Sequence, residues 1–260
     1  MKYDFFVNTT PSRLKESNCL RSCVHSLLRQ TITPESVYVC IPYEYKRMET
    51  KVDDGEIPNW IFNDSDKIRV LRSNDYGAAT RYVYASTVND VKNSHNYACS
   101  ADDDVIYKRE AFETLFKFKE QQSLDAASHW SYMWWNRLDE NGNGQDVDLS
   151  LKYMQGVDMI LTSPFNLLGF KDFLVDCYSD YPDCILNDDL TLSYWLQYNG
   201  KKIDSVNVGS SESMYTEQST ASDETRLTDQ LGKGARYFKT FEIISYLKKN
   251  YPIKKLNMRA

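Results

Sequence analysis

The chain lacks any apolar run near the roughly 18 residues that a membrane-crossing helix needs, and its first eight residues contain no apolar core of a secretion signal. Its six cysteines include no CxxC pair and several lie within apolar segments, which argues against a zinc or disulfide framework and for reduced core thiols. Basic tracts are missing as well. The 31 Lys and Arg against 37 Asp and Glu give a formal charge of −6, so a nucleic acid is not an expected partner. Residues 9–13, which follow the first strand-like segment, hold no glycine, and no internal repeat or low-complexity stretch is visible. These absences lead us to expect a cytoplasmic protein with no transmembrane segment. What remains, 260 residues with 42% hydrophobic and 26% charged, is enough for one large globular domain.

The first half alternates between two periods. Residues 3–9, 36–41, 68–71 and 97–100 read as strands, and residues 16–30, 79–88 and 110–121 as helices. Such alternation predicts a parallel, doubly wound sheet, in which ligands bind beyond the carboxyl ends of the strands. The second half is less regular. Residues 126–138 and 147–160 read as extended, residues 205–223 as a long loop, and residues 241–249 as a last helix. The turn at residues 139–146 mimics the start of a calcium loop through Asp139, Asn141, Asn143 and Gly144, but its twelfth position is Ser150 rather than Glu, so a hairpin turn is expected.

Three clusters carry chemistry. Asp102, Asp103 and Asp104 end an apolar run. Adjacent anions repel, so a folded chain seldom keeps them at the end of a buried strand without a cation or a donor-rich ligand, and oxygen-only ligands suit Mg²⁺ or Mn²⁺. After the third strand, Asp75 can accept hydrogen bonds from a base or ribose, Gly77 permits a tight turn, and Arg81 can reach a phosphate. Third, Asp188 and Asp189 open an amphipathic helix, where carboxylates are favoured by the helix dipole but where a general base can also sit. Trp130, Tyr132 and Trp134 alternate along an extended segment, with Trp135 adjacent, and could stack on sugar rings, although core packing is the commoner use of such residues.

The order of these pieces resembles the GT-A fold nucleotide-sugar glycosyltransferases, close in pattern to the large inverting group. The matching segments are the first strand with Thr9-Thr10-Pro11-Ser12-Arg13, Asp75-Tyr76-Gly77-Ala78-Ala79-Thr80-Arg81, Ala101-Asp102-Asp103-Asp104 with Val105-Ile106-Tyr107 behind it, and Asn187-Asp188-Asp189 before Leu192-Ser193-Tyr194-Trp195-Leu196; together they span roughly residues 3–200. The resemblance implies an α/β, Rossmann-like, doubly wound mixed sheet flanked by helices in a single domain of residues 1–260. Residues 1–108 would bind the nucleotide-sugar, residues 109–205 the acceptor and the base, and residues 206–260 would form a C-terminal loop and helix.

The resemblance also implies roles. Asp104 would hold Mn²⁺ or Mg²⁺ directly, with Asp102 on the ribose or on a metal-bound water. Thr9, Arg13, Asp75, Gly77, Arg81, Asp102 and Asp103 would surround the donor, a UDP-sugar being favoured. Asp189 would be the base toward a glycan acceptor, with Asp188 capping the helix or orienting that acceptor, and Trp134, Gly156 and Asp158 would line the acceptor side. Many relatives add a late histidine to the metal, but His25, His95 and His129 all lie upstream of that place. The loop at residues 209–217 would supply an oxygen instead or leave water there, and Lys233, Arg236 and Tyr237 resemble residues that fold over a diphosphate. A retaining transferase, a sugar-nucleotide pyrophosphorylase and a non-catalytic glycan-binding module remain as alternatives.

Overall fold

The computed structural model describes residues 2–15, 18–88, 97–131, 151–207, 214–218 and 227–253. Its centre is built on β1 (Tyr3–Asn8) and β2 (Ser36–Pro42), in which every residue but Asn8 is buried. Tyr3, Phe5 and Val7 enter one core and Phe6 the other, while in β2 Val37, Val39 and Ile41 alternate with Tyr38 and Cys40 in the same way. Burial on both faces is what a central parallel strand requires, and it explains the nearly continuous apolar sequence. Two small strands, β3 (Glu44–Tyr45) and β4 (Thr50–Lys51), form a hairpin just beyond β2.

The sheet is completed by β5 (Ile68–Ser73), β6 (Tyr97–Asp102), β8 (Ala126–Ser131), β9 (Met154–Thr162) and β10 (Ile203–Asn207), after β7 (Val105–Tyr107) has turned away from it. Its seven strands run in the order β10-β8-β9-β6-β1-β2-β5. Strands β6, β1, β2 and β5 are mutually parallel, as are β10 and β8, but β9 is antiparallel to both its neighbours. The four strands of the first half are parallel, as its alternation predicts, and the whole is the mixed sheet that the resemblance implies. The chain crosses from β2 to one side of β1 and from β6 to the other, so strand order reverses at β1. There Asn8 pairs with Asp102, at the carboxyl ends where a crevice opens.

Helices cover both faces. In chain order they are α1 (Pro11–Lys15), α2 (Asn18–Leu28), α3 (Trp60–Asn63), α4 (Thr80–Ala85), α5 (Ala111–Gln121), α6 (Phe170–Asp180), α7 (Asp188–Tyr198) and α8 (Leu227–Asn250). The sequence reading of α7 as amphipathic is corrected, since all its residues from Asp188 to Leu196 except Trp195 are buried. A helix buried nearly all round shows no polar stripe.

The last helix starts at Leu227 rather than near residue 241, its front half disguised by Gly232 and Gly234, each of which costs a helix about 1 kcal/mol relative to Ala. The expected long loop at residues 205–223 contains the end of β10 and a strand, β11 (Tyr215–Gln218), which pairs antiparallel with β7. Its Tyr-Thr-Glu-Gln sequence has no apolar alternation to announce it. Tyr132, Trp134, Trp135, the turn at residues 139–146 and residues 209–213 lie outside the described residues, as do the side chains of Asp158, Glu217, Lys233, Arg236 and Tyr237.

Candidate active site

A cavity of about 240 Å³ opens beyond the carboxyl ends of β1 and β6. Asp75, Gly77, Arg81, Asp102, Asp188 and Asp189 all border it, so residues up to 114 positions apart that the sequence singled out share one wall system. Each is placed by local chemistry. Gly77 has φ 64°, in the left-handed region, and a Cβ there would come within 2.7 Å of Ile185 Cγ1, so both backbone and space demand glycine. Thr80 Oγ1 closes the turn, donating to the Gly77 carbonyl at 2.7 Å and accepting from the Tyr76 N–H at 3.0 Å. The turn launches α4, which carries Arg81 and Tyr82 inward.

Asp75 was expected at a base or ribose. Its two oxygens accept from the backbone N–H groups of Lys46 and Gly77, both at 2.8 Å, so it ties the β3–β4 hairpin to the turn while still bordering the cavity. That hairpin contributes Tyr45, Arg47 and Met48, which sequence reasoning missed because no periodicity marks a two-residue strand.

The three consecutive aspartates do not act as one group. Asp103 accepts from Thr9 Oγ1 at 2.6 Å and pairs with Arg13, which also reaches Asp104 at 3.1 Å. Asp102 pairs with Arg81 and is the most open of the three, its side chain 30% exposed on the cavity. Burial, partly offset by Arg13 and reinforced by Asp104, raises the Asp103 carboxyl to about 6.

Arg81 is the hub of the second cluster. Its side chain is 5% exposed, and besides Asp102 it donates to Asp188 and Asp189, each at 3.1 Å. Read from the sequence as a phosphate partner, it borders the cavity and joins the end of β6 to the start of α7. Asp189 accepts from the Tyr82 hydroxyl and from the Gly156 N–H, both at 2.7 Å. Gly156, expected on the acceptor side, lies directly under this carboxylate: a Cβ would meet Asp189 Oδ1 at 2.5 Å and Arg81 Nη2 at 2.9 Å. The helix cap expected of Asp188 is supplied by Asn187, whose side chain accepts from the Leu190 N–H at 3.3 Å. Burial, and next the charge of Asp189, raise the Asp188 carboxyl well above the ordinary aspartate range despite Arg81. One guanidinium thus faces three carboxylates here, and Arg13 faces two more. Buried anions in excess of cations are costly unless a further cation or donor joins them.

Two solved structures share this architecture of a central, mostly parallel sheet flanked by helices. The first is S. aureus TarS 1–349 in complex with UDP-GlcNAc, with a TM-score of 0.55 at 14% identity over 98% of this chain and 68% of that one. The second is 2-C-methyl-D-erythritol 4-phosphate cytidylyltransferase (IspD) of Francisella tularensis, with a TM-score of 0.50 at 12% identity over 79% of this chain and 90% of that one. No protein family and no curated protein matches the sequence. At these identities the likeness is one of fold. No helix among the described residues is long and apolar enough to cross a membrane.

Proposed function

We propose that the chain is a glycosyltransferase that moves a sugar from a nucleoside diphosphate donor, a UDP-sugar being favoured, to a glycan hydroxyl with inversion at the anomeric carbon. The observation that carries this reading is the placement of Asp102 and the Asp188–Asp189 pair on one cavity, on either side of Arg81, at the reversal point of the sheet. Donor-side and acceptor-side carboxylates set apart in this way suit single displacement, in which a base activates the incoming hydroxyl opposite the leaving group. The fold shared with a protein solved with UDP-GlcNAc supports the choice of donor class.

The chemistry of the donor set fits Mn²⁺ or Mg²⁺. Asp102 offers hard oxygens to the cavity, and the surrounding excess of carboxylates leaves a deficit of positive charge. Among the described residues no group of three His, Cys, Asp or Glu side chains converges on one point. An ion would therefore rest on Asp102, with Asp104, and complete its shell with phosphate and water, as Mg²⁺ commonly does. When bound, it neutralises charge on the departing diphosphate. Asp75 and the β3–β4 hairpin would border the nucleoside, Thr9 and Arg13 would hold Asp103 and Asp104 in place, and the base would come from the Asp188–Asp189 pair, Asp189 being the member implied by the family resemblance.

A nucleotidyltransferase is the second reading, because the cytidylyltransferase shares the fold. Against it, residues 11–15 form a short helix whose Arg13 is directed to Asp103 and Asp104, where that chemistry wants a glycine-rich basic loop. The test is a panel of nucleotide-sugars scored with Mn²⁺ by thermal shift and by product. Stabilisation by UDP-sugars with release of UDP and an inverted sugar is expected. Release of pyrophosphate from a nucleoside triphosphate would establish the second reading, and a response to free glycan alone would establish a binding module.

A further inference from the structure

Four carboxylates, Asp75, Asp102, Asp188 and Asp189, line the cavity, and a nucleoside diphosphate would bring further negative charge into it. Two of the nearby arginines already have their charges engaged. Arg13 is directed to Asp103 and Asp104 and is not part of the cavity wall. Arg81 belongs to the wall, but its terminal nitrogens are taken up by Asp102, Asp188 and Asp189, its Nε is sealed from solvent and its side chain is 5% exposed. Among the described residues, one other cation borders the same space: Arg47, which is exposed.

The chain around Arg47 is built to hold it there. Arg47 is the middle residue of the turn Lys46–Met48 between β3 and β4, which Glu49 closes in the left-handed region at φ 49°. Tyr45 and Val52, on either side of the tip, are buried in the core. The Lys46 N–H donates to Asp75 at 2.8 Å, which ties the tip to the wall from within. From the outer side, Arg72 at the end of β5 donates to the Val52 carbonyl, pairs with Asp54 at 3.2 Å and lies 4.5 Å from the centre of the Tyr43 ring. The Asp54 side chain is 83% exposed, so that ion pair contributes little and the carbonyl and ring contacts form the clamp. The hairpin stands beyond β2, with β1 between it and β6, so two strand spacings, roughly 10 Å, separate it from Asp102. A ligand reaching from Asp102 to the hairpin would present its nucleoside end to Arg47.

We propose that Arg47 binds the phosphate next to the nucleoside of the donor, and that Arg72 is the positioning residue that keeps the hairpin tip within reach of it. This rests on the reading of the site as one for a nucleoside diphosphate sugar. A guanidinium offers a phosphate two parallel charge-assisted hydrogen bonds, which a lysine ammonium cannot reproduce. Its place on a hairpin tip, with no carboxylate at hand in the turn Lys46–Met48 itself, suits a group that meets an anionic ligand as it enters.

The test is the affinity of the wild type and of variants for uridine, UMP and UDP, measured by calorimetry with Mn²⁺ present, together with melting temperature. Arg47→Ala is expected to weaken UMP and UDP by about 10- to 100-fold, the strength of hydrogen bonds to a charged group, and to leave uridine unchanged. Its melting temperature should match the wild type, because the side chain is exposed. Arg47→Lys should recover part of the loss, and raised salt should narrow the gap between wild type and Arg47→Ala. Arg72→Ala should weaken UMP and UDP by a smaller factor, and in the double variant Arg47→Ala/Arg72→Ala it should add nothing to the loss from Arg47→Ala, because it acts through that residue. The proposal is overturned if Arg47→Ala keeps wild-type affinity for UMP and UDP, or loses as much for uridine as for either. Losses that add in the double variant overturn the positioning role of Arg72. A wild type that responds to none of the three ligands overturns the transferase reading itself, and this inference with it.

Discussion

Arg13 and Arg81 sit at the same cleft and answer the same problem, an excess of carboxylates, in different ways. Arg13 meets Asp103 and Asp104 from a short helix just after β1, with its side chain 19% exposed. Arg81 is 5% exposed and gathers Asp102 from β6 and the Asp188–Asp189 pair from α7. The first arrangement tunes a pair of neighbouring residues. The second joins the end of β6 to the start of α7 across the cleft, so a change there should disturb the whole site.

That contrast can be broken by substitution. Arg81→Ala leaves three carboxylates without their shared cation and should cost about 3–5 kcal/mol in denaturant unfolding, whereas Arg13→Ala, closer to solvent, should cost about 1–2 kcal/mol. Equal losses would mean that the two clusters are alike. Next in size, Gly156→Ala forces a methyl to within 2.5 Å of Asp189 Oδ1. It should destabilise by about 1–3 kcal/mol and, under the proposed function, in which Asp189 serves the acceptor, lower UDP release more than UDP affinity. An unchanged melting temperature would show that the contact relaxes freely.

The smallest effect is a pH dependence. Asp188 is raised by burial and by Asp189, so the folded state keeps a proton that the unfolded chain gives up near pH 4. The stability linked to that proton is fully present below the unfolded value and is lost as pH rises through the higher folded value. The gain in melting temperature of Asp188→Asn over wild type should therefore vanish near pH 4 and grow toward pH 7, which a pH series of thermal melts measures. A difference independent of pH would show that Asp188 is not raised.

Much of the fold was legible because β1 and β2 are buried on both faces and their apolar runs leave little choice. The strand expected at residues 97–100 ends instead at Asp102, which is what brings that carboxylate level with Asn8 at the mouth of the crevice. Helix α6 carried a readable spacing, Phe170, Phe173, Leu174 and Cys177, that the sequence reading did not use. Strands β7 and β11 exist through their pairing with each other, and nothing in Tyr215–Gln218 says so. In the site, clustering made the aspartates conspicuous, and Gly77 followed from its turn. Partner choice was not legible. Spacing cannot tell that Arg81 meets carboxylates from two distant elements, or that Gly156 matters for the room it leaves beneath Asp189.

The central claim is a nucleotide site completed by a divalent cation on Asp102. Calorimetric titration of UDP into the wild type and into Asp102→Asn, with and without Mn²⁺, tests it most directly. The wild type should bind UDP at least about tenfold tighter with Mn²⁺, a gain of roughly 1.4 kcal/mol, and Asp102→Asn should show no such gain while retaining its fold. A wild type whose UDP affinity ignores Mn²⁺, or a variant that keeps the full metal-dependent gain, would contradict the account.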